Sequence, residues 1–166
     1  MKRFTLLLLC ACATSAPIAT SSVPANLAAP GTTAERLVTS AKGTQNYTCK
    51  ENAGKFEWAF TAPEADLFDA SGNKLGTHFA GPTWQLDDGS KVVAAVKEKA
   101  PAPGSIAWLL LEVKSSEGQG KLTGVTYIQR LDTAGGNPPA DGCDGAHAGE
   151  VRKVPYTASY HFFAAR

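Results

Sequence analysis

Between Lys55 and Val93 apolar side chains recur with a period of two, and turn-forming residues interrupt them every few positions. In the segment KFEWAF, Phe56, Trp58 and Phe60 fall on one face of an extended chain, because successive side chains of a strand point to opposite faces. Pro63 is expected to end that strand, and a short strand around Ala65 and Leu67 follows. Asp69-Ala70-Ser71-Gly72-Asn73 and Asp87-Asp88-Gly89-Ser90 read as hairpin turns: Asp bonds the backbone ahead of it, and Gly accepts positive φ. Lys74–Phe79, Thr83–Leu86 and Lys91–Glu98 are the strands they join, with Gly81-Pro82 as a further turn. This stretch predicts a β-meander at the centre of the domain.

The flanks carry the same pattern. Glu35–Ala41 predicts a first strand, Gly43 a break, and Thr44–Lys50 a second strand alternating about Tyr47 and Cys49. A turn is expected at residues 51–54. Residues 99–105, with Pro101 and Pro103, predict a loop. Ile106–Val113 is the most apolar run after the leader; Leu and Ala favour a helix there, but its length and flanking Pro and Gly predict a strand buried on both faces. Residues 122–131 are β-branched and strand-like. Residues 132–149 are rich in Gly and Pro and predict a long irregular loop, and Val154–Phe163 closes the sheet. Frequent short strands predict one all-β domain over residues 31–166: a β-sandwich or partly open β-barrel, mostly antiparallel, with little helix.

Composition changes the picture mainly at the N-terminus. Lys2 and Arg3 precede an apolar run from Phe4 to Leu9 and small residues at Ala11, Ala13 and Ala16, which predicts an export signal over residues 1–13, far too short to span a bilayer. Two processing routes fit: ordinary cleavage after Ala13, or a lipobox-like Leu9-Cys10-Ala11-Cys12 that would leave a lipid anchor on Cys12. The expected location is periplasmic or secreted, with an outer-surface lipoprotein as the alternative. Residues 14–30 are rich in Ala, Ser, Thr and Pro and predict a linker or arm, of which Val23–Leu27 is the part able to dock as an extended segment. The formal net charge of +1 becomes −1 once Lys2 and Arg3 are removed, and no basic stripe is present, so nucleic acid is not an expected partner. No stretch after the leader predicts a transmembrane segment.

Two of the four cysteines belong to the leader. In an oxidising compartment the remaining pair, Cys49 and Cys143, is expected to form a disulfide. Gly118-Gln119-Gly120 with Gly124 is GxGxxxG rather than a dinucleotide fingerprint, and a turn between strands explains it, so no cofactor is predicted. No GxSxG, HExxH, CxxC or CxxCH occurs. Asp66, Asp69, Asp87 and Asp88 suggest a carboxylate pair, but turn chemistry already accounts for the last three. Trp58, Trp84, Trp108 and Tyr127 suggest either core packing or a stacking platform for sugars. Cys143-Asp144-x-x-His147 has ligand-like spacing, yet a cysteine committed to a disulfide cannot ligate, and no metal site is predicted. His78 is the most interesting histidine: it lies between Gly76 and Gly81 and near Trp84, where glycines allow close approach of backbone to a ligand or to a neighbouring strand.

Several segments together, among them Tyr47-x-Cys49, APEADLFD, GTHFAGPTW, AWLLLEV, GVTYIQRLDTAGG, GCD and VPYTASYHFF, resemble a family of exported bacterial and fungal proteins known only as a domain of unknown function. The resemblance implies a β-rich secreted domain, agrees with the cysteine pairing and implies no activity. Some fungal relatives carry a malate dehydrogenase label, to which the failed dinucleotide motif lends nothing. Two functions stay open. One is a non-catalytic module binding a small molecule, glycan or envelope protein through His78, Trp84 and the loop residues Asp141, Asp144 and His147. The other is a small extracytoplasmic enzyme, metal-assisted in one version, using His78 or His147. The first is favoured, because aromatic residues beside Gly-rich turns suit recognition.

Overall fold

Eight antiparallel strands follow one another around a closed ring in the computed structural model, which describes residues 22–166. They are β1 (Thr33–Asn52), β2 (Lys55–Phe68), β3 (Lys74–Phe79), β4 (Thr83–Leu86), β5 (Lys91–Ala102), β6 (Ser105–Glu117), β7 (Val125–Gly135) and β8 (Val151–Ala165). Each pairs with the next, and β8 returns to β1 over most of its length, from Thr33↔Ala165 to Thr48↔Val151. The all-β, antiparallel expectation holds. The strands form one ring rather than two stacked sheets, because β8 returns to β1, while β2 and β5 keep stretches that are paired on one side only. The segments expected to hold an export signal, the alternative anchor position Cys12 and the first part of the arm lie outside the described residues.

Period-two alternation sorts the side chains. On β8, Tyr156, Ala158, Tyr160, Phe162 and Ala164 are buried inside the ring. Outward positions carry charges that pair between strands, Lys74–Asp66 at 2.7 Å between the neighbours β3 and β2, and Lys153–Glu64 at 2.6 Å from β8 across β1 to β2. An apolar lumen under a charged exterior is the inverse of a membrane-spanning barrel, whose outward band is apolar.

Three breaks expected from Gly and Pro are continuous strand. β1 runs straight through Gly43, where an added Cβ would stand 2.0 Å from the Glu64 carbonyl oxygen; the glycine lets β1 and β2 approach. β2 runs through Pro63 and β5 through Pro101. Both prolines sit where their strand has a neighbour on one side only, the edge situation that tolerates a missing N–H. The β1–β2 turn has positive φ at both Ala53 and Gly54, the primed geometry that matches strand twist. The GxGxxxG segment is the turn between β6 and β7.

One end of the ring is filled. Leu67, Leu86, Val92, Leu122, Val125, Ile128 and Phe162 are packed together with at most 3% exposure. Asp88 locks two turns across this floor: its carboxylate accepts from Ser90 N at 3.0 Å, Ser90 Oγ at 2.6 Å and Lys121 N at 2.8 Å. The Ser90 hydroxyl and these N–H groups hold the Asp88 carboxyl below its usual range.

Outside the ring, Val23–Leu27 docks as expected, although through a 3-10 turn at Ala25–Leu27 rather than as an extended segment. Leu27 is fully buried with Ala100, Leu110, Leu131, Trp108 and Tyr127, and its carbonyl accepts from Gln129 Nε2 at 2.6 Å.

Candidate functional site

The other end of the ring is hollow. β2 pairs with β3 only from Ala65 onward, and β5 with β4 only through Val93, so β2 and β5 rise past the short β3–β4 hairpin. Between them lies a cavity of about 530 Å³, bounded at the β3–β4 turn by Gly81 and Pro82. That is the size range of small-molecule sites, and a ring of eight strands leaves room for one such ligand. Phe60 and Val96, 54% and 52% exposed, stand on the walls that rise past the hairpin.

Deeper in, β3 and β4 hold His78 and Trp84 opposite each other. Their rings stack with centroids 4.2 Å apart, and Tyr160 from β8 meets both edge-on, at 5.1 Å from His78 and 5.3 Å from Trp84. His78 is 3% exposed, and its Nδ1 lies 2.8 Å from the Thr83 carbonyl oxygen. Burial pushes the imidazole down to about 4, with the Arg130 charge adding to the shift and the Thr83 carbonyl opposing it. His78 is therefore neutral at pH 7. A carbonyl only accepts, so Nδ1 carries the proton and Nε2 keeps a bare lone pair.

Arg130 reaches the wall from β7, between Leu109 of β6 and Tyr160 of β8, both of which also line the cavity. Its Nε and Nη2 donate to the Ala107 carbonyl at 3.1 and 2.8 Å. Gln45 and Trp84 are 3% and 1% exposed and line the same cavity, yet Gln45 Nε2 and Trp84 Nε1 make no hydrogen bond. Tyr156 and Tyr160 hydroxyls lie 3.3 Å apart, and burial raises both phenols. Tyr47 Oη donates to the Gly136 carbonyl at 2.6 Å; its phenol is raised chiefly by burial.

The chain between β7 and β8 is tied to the same end. Cys49 and Cys143 are disulfide-bonded with Cα atoms 5.3 Å apart, and Trp58 Nε1 donates to the Asp141 carbonyl at 2.7 Å. The loop contributes Asn137 to the cavity wall.

Of the residues singled out in the sequence, His78 and Trp84 come together in the cavity, and Asp141, Asp144 and His147 do not line it. Asp144 caps the 3-10 turn Gly145–His147 and pairs with His147 Nδ1 at 2.7 Å on the surface; that imidazole holds the Asp144 carboxyl below its usual range. The four-aromatic platform is dispersed. Trp58 carries Arg152 over its ring at 5.3 Å, and Trp108 and Tyr127 lie under the N-terminal arm. Asp69 serves its turn, accepting from Ser71 N and Asn73 N at 2.9 Å each. Among the described residues no three His, Cys, Asp or Glu side chains gather as a metal site would need. Sequence reasoning passed over Gln45, Arg130 and Tyr160. A signal existed: Arg130 shares strand parity with Ile128, and Tyr160 with Phe162, so each falls on the inward face.

Comparison with known proteins places the chain in a family: it belongs to the one described as Protein of unknown function (DUF3455), whose model matches residues 30–164. No curated protein and no solved structure matches it.

Proposed function

We propose that this member of the family is a non-catalytic binding module that takes one small, largely apolar, ring-bearing molecule into the open end of its barrel. The observation that carries this reading is the cavity of about 530 Å³ at the end of an otherwise filled ring. Its wall combines apolar side chains such as Ile106, Leu109 and Leu111 with a small number of convergent polar groups, the composition of a small-molecule site. The enzyme alternative has less support. A histidine at about 4 is a weak base at neutral pH, far from the value that favours proton transfer there, and His147 lies outside the cavity. The disulfide supports action outside the cytoplasm, where such bonds persist.

The test uses the neutral dye N-phenyl-1-naphthylamine, whose emission rises in an apolar site. Saturable binding of one dye per barrel is expected. Leu109→Trp, which fills the wall, and Val96→Trp, at the half-exposed rim, should each weaken it while far-UV circular dichroism stays unchanged. Absence of saturable binding, or indifference to both substitutions, would overturn the proposal.

A further inference from the structure

We infer that the molecule the barrel takes is an anion, its acidic group seated on Arg130 and its apolar body against Trp84 and the aliphatic wall. This rests on the binding reading above and names the ligand class within it. Arg130 is half-buried in the cavity wall, and among the described residues no carboxylate lies within ion-pairing distance of it. The wall contains no Asp or Glu at all, and its second cation is Lys99. A partly desolvated charge without a counter-ion is unfavourable, and proteins ordinarily pair it.

A structural role explains only part of the guanidinium. Two of its five N–H groups go to the Ala107 carbonyl and the guanidinium also acts as a donor towards the Tyr160 hydroxyl, which holds the planar fork in one orientation and still leaves N–H groups for a ligand. A fork fixed in that way suits two-pronged recognition of a carboxylate or similar oxyanion. The surrounding groups point to the same ligand. Gln45 Nε2 and Trp84 Nε1 are buried donors without acceptors on residues of the same wall, so beside the bare Nε2 lone pair of His78 the cavity also presents donors that a ligand's acceptor atoms would meet. The field of Arg130 is felt across the site: it acts to lower His78, Tyr47, Tyr156 and Tyr160. An anion bound at the fork relieves that field and meets the unsatisfied donors at once.

The experiment compares two dyes with one ring skeleton: N-phenyl-1-naphthylamine, which is neutral, and 8-anilinonaphthalene-1-sulfonate, which carries an added sulfonate. Charge-assisted hydrogen bonds of the ordinary strength predict that the wild-type protein binds the sulfonate at least about tenfold more tightly. Arg130→Gln should bring the two affinities to within about twofold of each other, and Arg130→Lys should restore part of the preference. The wild-type comparison needs no variant to fold: equal affinity for the two dyes overturns the inference and leaves the binding reading standing. A preference kept in Arg130→Gln and lost in Lys99→Gln overturns the assignment to Arg130. Failure of both dyes to bind the wild-type protein removes the binding reading and the inference with it.

Discussion

His78 should make this protein acid-sensitive by an amount that can be isolated. The imidazole titrates near 6.5 in an unfolded chain and near 4 in the folded barrel, where burial beside Trp84 and Tyr160 and the charge of Arg130 oppose protonation. Above pH 6.5 both states hold it neutral and it contributes no pH dependence. As pH falls from 6.5 towards 4, the unfolded chain takes up a proton that the folded barrel refuses, so stability falls with pH; below 4 both states are protonated and the loss levels off. The full shift corresponds to about 3 kcal/mol, most of which is reached by pH 4.5. His78→Asn keeps a donor for the Thr83 carbonyl and removes the titration. Urea unfolding of both proteins at pH 7 and pH 4.5 gives the double difference, in which the carboxylates that titrate in both proteins cancel. The wild type should lose about 2–3 kcal/mol more than the variant between the two values. Equal losses in the two proteins would show that His78 is not held neutral by its surroundings.

Three further outcomes follow from the packing. Breaking the Cys49–Cys143 bond, which spans 94 positions, should destabilise the fold by up to about 4–5 kcal/mol on loop-entropy grounds and lower Tm by roughly 10–15 °C; calorimetry with and without reductant reads this, and a shift under about 2 °C contradicts it. Gly43→Ala would drive a methyl group to 2.0 Å from the Glu64 carbonyl and should cost more than about 3 kcal/mol, whereas Gly31→Ala, which meets nothing, should leave Tm unchanged. Leu27→Ala should cost about 2–4 kcal/mol in urea unfolding, since its side chain is fully buried between the arm and β5, β6 and β7; a change under about 1 kcal/mol would mean that the arm does not clamp these strands.

Local chemistry was enough to read most of the strands from the chain. The turns at Asp69–Asn73 and Asp87–Ser90 close where the Asx and Gly pattern places them, and Ile106–Val113 is strand despite its helix-favouring leucines. These features depend on a few neighbouring residues, which the chain carries with it. The leucine-rich run is a strand because β5 and β7 flank it and its two faces are buried, inside the ring and under the arm. What the chain could not show was whether Gly43, Pro63 and Pro101 interrupt a strand or lie within one. That depends on which neighbour is present on which side, and only the completed ring assigns neighbours. Closure itself is of this kind, since β1 and β8 are remote in sequence and meet only in space. So is the cavity. His78 and Trp84 stood out because they are adjacent in a glycine-rich stretch, but Gln45, Arg130 and Tyr160 come from three other strands. The hollow exists because β3 and β4 are short where β2 and β5 are long, a difference in pairing rather than in composition.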